Sequence, residues 1–225
     1  MVQKERHVLV IFPHPDDEAF GVSGTIALHV ENGTPVTYAC LTLGEMGRNM
    51  GNPPFATRES LPLIRKKELQ EAANVLGIQD LRMMGLRDKT IEFEDEEKLI
   101  QMMTDLINET NPSLVITFYP GYSVHPDHEA TGRAVVRAIE RITETKRPKL
   151  HCVAFSHNCQ EELGPPDIIV NIEAVKEKKM AAMRAHKSQT AWILADIEQK
   201  IANNDPEGLR WVQYERFWSY QWYRH

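Results

Sequence analysis

Two polar segments, far apart in the chain, hold the side chains best suited to chemistry. The segment "PHPDDE" at residues 13–18 follows the apolar run "VLVIF", and "HPDH" at residues 125–128 comes a few residues after "SLVITFY". Together they supply a set of histidines and carboxylates: His14, Asp16, Asp17, Glu18, His125, Asp127 and His128. The simplest interpretations are a polar turn for the first segment and a helix N-terminus, with Asp127 near the cap, for the second.

A metal site is the sharper interpretation, because a plain turn leaves the adjacent acids at 16–18 uncompensated. A divalent cation relieves the repulsion between neighbouring carboxylates. Two histidines and one carboxylate from two converging loops make a three-ligand site, with a fourth position open to water as in catalytic zinc sites. Three ligands use only part of the set, so one histidine and one or two acids remain for catalysis.

The chemistry that such a site favours is amide hydrolysis. A bound divalent ion lowers the pKa of its water and polarises a carbonyl group. A carboxylate such as Asp16 can take the proton of that water, while a histidine such as His125 stabilises the oxyanion or protonates the leaving nitrogen. Non-haem iron oxygenases also use two histidines and a carboxylate. The H-x-x-D spacing and the alternation of strands and helices disfavour that alternative.

The elements that must position these residues alternate along the chain. Apolar, β-branched runs predict strands at residues 7–12, 35–43, 80–86, 113–119, 150–156 and 167–172. Helical spacing predicts helices over residues 19–32, from about 58 to 76, over 93–111, and from the "HPDH" loop to about 143. Residues 44–59, rich in glycine, proline and asparagine, predict a long loop. One domain is expected over residues 1–225, helical from about 173 and ending in a packed aromatic helix, with a subunit interface as the alternative for that end.

This alternation predicts an α/β fold, a Rossmann-like and mostly parallel sheet with helices on both faces. In such sheets ligands bind at the carboxyl ends of the strands, where the strand order reverses. A strand order resembling 3-2-1-4-5 would make the first and fourth strands neighbours. The loops at residues 13–18 and 122–128 are therefore predicted to face each other and to hold the metal.

Composition narrows the function classes. The chain has 225 residues with 26 basic and 32 acidic side chains, for a formal charge of −6, and contains no long basic run, which disfavours nucleic-acid binding. No stretch approaches the roughly 20 apolar residues of a membrane span, and the N-terminus lacks the pattern of a signal peptide. Cys40, Cys152 and Cys159 form no CxxC pair, and reduced cysteines favour a cytoplasmic protein.

At the two loops the chain resembles the LmbE-like, or PIG-L, family of N-acetylglucosaminyl deacetylases. The family hallmarks are a (P/A)HPDDE loop after the first strand and an HPDH-type loop after a later one. The resemblance extends to "GEMGRN", "IRKKELQEAANVLGI", "LRDKT" and "KKMAAMRAHKSQ". Within the family the chain most resembles the bacillithiol-biosynthetic deacetylases, which act on N-acetylglucosaminyl malate. The resemblance implies a zinc hydrolase acting on a small GlcNAc conjugate, with Fe²⁺, Co²⁺ or Mn²⁺ as alternative metals.

The resemblance also implies roles for individual residues. It implies zinc ligation by His14, Asp17 and His128, and a general base at Asp16. It implies that His125 stabilises the oxyanion or acts as acid, that Asp127 orients or tunes a histidine, and that Glu18 supports the first loop. Substrate-binding roles are expected for Arg65, Asp88 and Tyr122.

Two questions stay open from the sequence. The basic residues near the long loop, Arg48, Arg58, Arg65, Arg87 and Lys89, could receive a substrate carboxylate or could be solvated surface charges. The chain could also act on another GlcNAc conjugate or a chito-oligosaccharide, or be a non-catalytic sugar- or metal-binding relative. Binding alone needs no base, so the spare acids favour an enzyme.

Overall fold

The computed structural model describes residues 2–222. A seven-stranded sheet forms its centre, with the strand order β3-β2-β1-β4-β5-β7-β6. The strands are β1 (Val8–Phe12), β2 (Val36–Cys40), β3 (Asp80–Met83), β4 (Leu114–Phe118), β5 (Lys149–Val153), β6 (Ile168–Asn171) and β7 (Tyr214–Ser219). The predicted order of the first five strands, with the first and fourth as neighbours, is confirmed.

The helices connect these strands and cover the sheet. They are α1 (Asp17–Gly21), α2 (Ser23–Glu31), α3 (Leu61–Leu76), α4 (Glu96–Thr110), α5 (Pro126–Glu140), α6 (Cys159–Leu163), α7 (Lys176–Ala185), α8 (Lys187–Ala202) and α9 (Pro206–Gln213). Short 3₁₀ turns occupy Ile91–Phe93, Glu144–Lys146 and Glu173–Val175.

Side chains of β1 point alternately into two apolar cores, one on each face of the sheet. Val8, Val10 and Phe12 join the core formed with α2, α3 and α7. Leu9 and Ile11 join the core formed with α4 and α5. All five residues are fully buried, as expected for a strand covered by helices on both sides. The predicted α/β fold with helices on both faces is confirmed.

Parallel pairing covers β3 to β5, and the remaining pairs are antiparallel. β1 pairs in parallel with both β2 and β4, with Val8 opposite Val36 and Leu114. β7 runs antiparallel between β5 and β6. The carboxyl ends of β1 and β4 therefore lie side by side, and both strands feed directly into the polar loops.

Two predictions about the helices need correction. The helix predicted over 19–32 is two helices, because Val22 has non-helical dihedrals (φ −144°, ψ 7°) between α1 and α2. The aromatic end predicted as a helix contains β7, in which the buried Glu215 and Phe217 alternate with the exposed Tyr214 and Arg216 at the two-residue period of a strand, and Trp218 is buried as well. Residues 223–225 of that end lie outside the described residues.

Cys40, Cys152 and Cys159 are free and buried, which confirms Cys40 and Cys152 as small core residues. Among the helices of residues 2–222, none combines the length and apolar character needed to cross a membrane.

Candidate active site

The loops after β1 and β4 meet, although their residues are more than a hundred positions apart. His14 Nδ1 lies 3.2 Å from His128 Nε2. Asp17 joins them, with Oδ2 3.5 Å from His14 Nδ1 and Oδ1 3.3 Å from His128 Nε2. The parallel register of β1 and β4 produces this meeting, because both strands end at the same edge of the sheet.

These three separations fit a divalent metal ion. Ligand atoms about 2.0–2.1 Å from a tetrahedral zinc lie about 3.3–3.4 Å from one another. The distance between His14 Nδ1 and His128 Nε2, 3.2 Å, is close to that value, and each of these nitrogens has a different Asp17 oxygen 3.3 to 3.5 Å away. The three residues could therefore hold such an ion once one Asp17 oxygen turns towards it.

The outer nitrogen of each imidazole is held so that the inner nitrogen can serve as a ligand. His14 Nε2 lies 3.1 Å from both Asp127 Oδ2 and Asp88 Oδ1. His128 Nδ1 lies 3.2 Å from the carbonyl oxygen of Ser123. A proton on each outer nitrogen satisfies these acceptors and leaves a lone pair on the inner nitrogen, an arrangement common around metal-bound histidines.

Two other groups of side chains are close enough to share an ion, and both include His14. One adds His125 and His128, and the other adds Asp88 and Asp127. The second group has little free capacity, because Asp127 is fully buried and accepts hydrogen bonds from the backbone N–H of Lys89 (2.7 Å) and Ile91 (3.2 Å). Asp127 is thus placed to hold His14.

The carboxylates around the site stabilise positive charge on the groups between them. Burial alone would lower the pKa of His14, but Asp127, Asp17 and Asp88 raise this pKa well above its usual range. Burial alone would raise the pKa of Asp17, but His128 and His14 hold it well below its usual range. A cation at the centre of this cluster would satisfy the same electrostatic demand.

Asp16 lies beside the three ligand candidates in a strained backbone conformation. Its φ of +104° falls in the left-handed region that non-glycine residues seldom adopt. Its Oδ2 accepts a hydrogen bond from Arg65 Nη2 at 3.0 Å. Burial raises the pKa of Asp16 to about 6, although Arg65 acts to lower it and Asp17 adds to the rise.

Arg65 is buried and fixed from several sides. Nη1 donates to the carbonyl oxygen of Gly44 at 2.8 Å, and Nη2 also donates to the carbonyl oxygen of Pro15. Gly44 has φ +61°, and a Cβ atom there would lie 1.8 Å from Arg65 Nη1. The glycine of the "GEMG" segment is therefore needed for the guanidinium to pack against the loop.

Glu18 is buried behind the first loop and is hydrogen-bonded on several sides. Its carboxylate accepts hydrogen bonds from the Asp16 backbone N–H (3.1 Å) and from Tyr38 Oη (3.0 Å), and it pairs with His186 Nε2 (2.6 Å). His186 is fully buried. The pair joins the start of α8 to the "PHPDDE" loop.

His125 caps α5 and faces the candidate metal ligands. Its Nδ1 accepts a hydrogen bond from the Asp127 backbone N–H at 3.1 Å, so in the neutral ring the proton lies on Nε2. The ring stands edge-on to His14, with centroids 4.9 Å apart. Burial, with His14 and His128 adding to it, lowers the pKa of His125. A neutral imidazole with its Nε2–H available can donate to a developing oxyanion.

A cavity of about 470 Å³ opens over these side chains. Its lining residues are His14, Asp16, Asp17, Met46, Gly47, Arg48, Arg65, Asp88, Lys89, His125, His128 and Gln189. The long loop at 44–59 therefore forms one wall of the cavity, and the residues after β3 form another.

Of the three residues expected to bind substrate, two line the cavity but are bonded to other site residues, and the third lies outside the lining. Arg65 and Asp88 line the cavity, but Arg65 holds Asp16, and Asp88 holds His14 and the backbone N–H of Met46 (2.8 Å). Tyr122 is not among the lining residues, and its hydroxyl donates to Glu162 Oε2 at 2.9 Å.

Gln189 is a lining residue to which the sequence assigned no role. Its Nε2 donates to the carbonyl oxygen of Asn49 at 3.0 Å, which ties the start of α8 to the long loop. Next to it, Ser188 donates to Glu68 through both its backbone N–H (2.7 Å) and its hydroxyl (2.6 Å). Ser188 and Glu68 both lie in segments that carry the family resemblance, "KKMAAMRAHKSQ" and "IRKKELQEAANVLGI", but neither segment indicates that the two residues pair.

A protein-family match covers the part of the chain that contains the candidate site. The profile described as PIG-L, GlcNAc-PI de-N-acetylase, matches residues 9–139, more than half of the chain and including both polar loops.

Individual proteins are similar over nearly the whole length. The chain is 53% identical to a protein of Bacillus subtilis named probable N-acetyl-alpha-D-glucosaminyl L-malate deacetylase 2, over 97% of this chain and 99% of that protein. Its identity to the protein of the same name in Bacillus cereus is 54%, with the same coverage. Among solved structures, N,N'-diacetylchitobiose deacetylase from Pyrococcus horikoshii superposes with a TM-score of 0.71 and 26% identity, over 96% of this chain and 84% of that one.

Proposed function

Because this chain belongs to the PIG-L (GlcNAc-PI de-N-acetylase) family, we propose that it is a metal-dependent deacetylase of a GlcNAc conjugate. The proposed reaction adds water across the N-acetyl amide and yields acetate and the free amine of glucosamine. The proposed substrate is N-acetylglucosaminyl malate, on which the two Bacillus relatives act according to their names.

The observation that carries the proposal is the set of three donor atoms with a spare carboxylate beside it. His14, Asp17 and His128 would hold the ion, and zinc is the metal we propose because two imidazoles and one carboxylate suit it. When bound, the ion would lower the pKa of a water molecule and polarise the acetyl carbonyl.

Asp16 is the proposed general base, taking a proton from the attacking water on its carboxylate. The hydrogen bond from Arg65 to Oδ2 restricts rotation of this carboxylate and leaves Oδ1 for the proton. His125 is the proposed oxyanion donor, through Nε2–H, because its Nδ1 is occupied by the Asp127 backbone N–H. Asp127 and Asp88 hold His14, so their proposed role is positioning, as is that of Glu18 behind Asp16.

A second candidate is deacetylation of a chito-oligosaccharide. The similarity to the Pyrococcus horikoshii diacetylchitobiose deacetylase favours it. The higher identity to the two Bacillus proteins favours the malate conjugate. We further propose a cytoplasmic location within bacillithiol biosynthesis, which the sequence resemblance implies and which three free cysteines support.

One assay tests the proposal and separates the candidates. Purified protein is incubated with GlcNAc, GlcNAc-malate, diacetylchitobiose and GlcNAc-inositol, with and without a chelator, and released acetate is measured. We expect fastest release from GlcNAc-malate and none after chelation. Fastest release from diacetylchitobiose would favour the second candidate. No release from any substrate by metal-loaded protein would indicate a non-catalytic relative and overturn the proposal.

A further inference from the structure

The basic side chains near the cavity fall into two groups according to their partners. Arg58 Nη1 donates to the carbonyl oxygens of Glu45 (3.0 Å) and Gly47 (2.9 Å), so it holds the long loop in place. Arg65 is occupied by Asp16 and the backbone. Arg87 is exposed and is not among the cavity-lining residues. Arg58 and Arg87 therefore do not line the cavity, and the guanidinium of Arg65 already donates to Asp16 and to backbone carbonyls.

Arg48 and Lys89 are different. Both line the cavity, and both side chains are exposed. Neither side chain forms an ion pair or a hydrogen bond with the residues of 2–222. Two cations without partners therefore lie at the rim of a cavity whose floor carries the carboxylates of Asp16, Asp17 and Asp88.

The backbone under each of these side chains is anchored. Lys89 has φ +63°, and its N–H donates to Asp127 Oδ2 at 2.7 Å. Arg48 lies between Gly47, whose N–H donates to the Gly44 carbonyl oxygen (3.0 Å), and Asn49, which exchanges hydrogen bonds with Gln189. The two charged groups are thus presented from fixed points on two adjoining segments, the 44–59 loop and the segment after β3, which hydrogen-bond to each other through Met46 N–H and Asp88.

We propose that Arg48 and Lys89 form a carboxylate-binding pair that selects GlcNAc conjugates with an anionic aglycone. This inference rests on the proposed deacetylase function and names the substrate class within it. A substrate carboxylate bound away from the metal needs a cation beside it, and Arg48 and Lys89 are exposed cations that line the cavity. Arginine suits bidentate carboxylate binding, and lysine supplies a mobile point charge. The chain carries a net charge of −6, so this positive rim is a local feature.

The test compares Arg48→Met, Lys89→Met and the double variant with wild type, using GlcNAc-malate and the neutral diacetylchitobiose. Arg87→Met is the matched control, because it removes a nearby exposed charge from outside the cavity. In each single rim variant we expect KM for GlcNAc-malate to rise about tenfold with little change in kcat, a size typical of a hydrogen bond to a charged group. The control should keep wild-type KM.

Salt provides a second measurement. Exposed charges are screened as ionic strength rises, so KM of the wild type for GlcNAc-malate should increase with salt, and this increase should shrink in the double variant. A double variant whose KM stays within twofold of wild type, or an Arg87→Met variant that matches the rim variants, would overturn the pair.

The wild type alone tests the proposed function, so the two failures are distinguishable. Acetate release from GlcNAc-malate with unaffected rim variants rejects only the carboxylate-binding pair. If the wild type releases no acetate from any substrate, the deacetylase function fails, and the pair fails with it.

Discussion

Arg65 donates a hydrogen bond from Nη2 to Asp16 Oδ2 over 3.0 Å, so a buried guanidinium holds the carboxylate that lies beside the candidate metal ligands. Asp16 needs such support because its backbone is in the left-handed region, which costs a non-glycine residue on the order of 1–3 kcal/mol. The Glu18 carboxylate on the Asp16 N–H and Arg65 on its side chain together stabilise that conformation.

The first prediction concerns Gly44, which makes room for Arg65. Gly44→Ala should displace the guanidinium, since the added Cβ would lie 1.8 Å from Nη1. We expect kcat to fall by about a hundredfold, the scale of an ångström-sized misplacement of a reacting group, with the metal content unchanged. Gly164→Ala is the control: that residue also has positive φ (+81°) but nothing within 4 Å of its Cβ position. Equal losses of kcat in both variants would indicate that backbone strain, and not the displacement of Arg65, causes the effect.

The second prediction separates metal binding from proton transfer. Asp16→Asn should keep the bound metal and lower kcat by about 10²- to 10⁴-fold, the usual contribution of a general base. His128→Gln should lose the metal, because it removes one of the three proposed ligands. Elemental analysis and acetate release are measured on the same samples. An Asp16→Asn protein with wild-type turnover would reject Asp16 as the base.

The third prediction concerns the buried ion pair between Lys179 and Glu215, whose charged atoms are 2.7 Å apart. The Glu215 carboxylate also accepts from the N–H groups of Gly24 (2.9 Å) and Thr25 (2.7 Å), at the start of α2. Glu215→Ala removes the counter-charge of a buried ammonium, which keeps only backbone carbonyl acceptors such as Phe20 O (2.9 Å), and leaves two N–H groups unpaired. The free energy of unfolding should therefore fall by about 3–5 kcal/mol.

Lys179→Met is the comparison for this pair, because it leaves Glu215 with two donors at a helix N-terminus. We expect a smaller loss, about 1–3 kcal/mol, measured by urea denaturation of both variants. A larger loss for Lys179→Met than for Glu215→Ala would contradict the assignment of Glu215 as the centre of this network.

The fourth prediction is a pH effect from His151, which lies away from the cavity. Burial lowers the pKa of His151 to about 4, and the nearby Lys149 adds to this effect. The unfolded chain binds the proton near pH 6.5 while the folded protein does not, so stability falls as the pH drops from about 6.5 to 4. This histidine alone should lower the free energy of unfolding by about 2 kcal/mol between pH 7 and pH 5.

The variant that checks this is His151→Gln, in which the difference in stability between pH 7 and pH 5 should shrink by about that amount. His157→Gln serves as the control, because it removes an exposed histidine from the neighbouring segment. An unchanged pH difference in His151→Gln would show that His151 contributes nothing to acid destabilisation.

The sequence was sufficient where local pattern and sheet topology decide the outcome. The alternation of apolar strands and helices predicted that β1 and β4 are neighbours. Because they are, His14 Nδ1 lies 3.2 Å from His128 Nε2. It was insufficient where a residue's partner is distant. Nothing in "LRDKT" indicates that Asp88 turns to His14, and nothing around Tyr122 indicates that its hydroxyl meets Glu162.

The aromatic end shows a different reason for failure. The residues of "YERFWS" occur in helices as well as in edge strands. The segment has only six residues, too few for an alternating pattern to indicate a strand. The segment becomes a strand because the edges of β5 and β6 offer it backbone partners, which is tertiary information. Likewise, the predicted helix is interrupted at Val22. There the Lys179 side chain pairs with a backbone carbonyl at the end of α1, and the Glu215 side chain pairs with the first N–H groups of α2.

The contacts of Glu215 have a consequence for the timing of folding during synthesis. Its partners at the start of α2 are about 190 positions earlier in the chain, and they lie just after the "PHPDDE" loop. While the ribosome is still translating α9, residues 13–25 have left the exit tunnel but lack their last stabilising group. A nascent chain in this state has His14, a proposed metal ligand, outside the ribosome before the scaffold that orients it is complete.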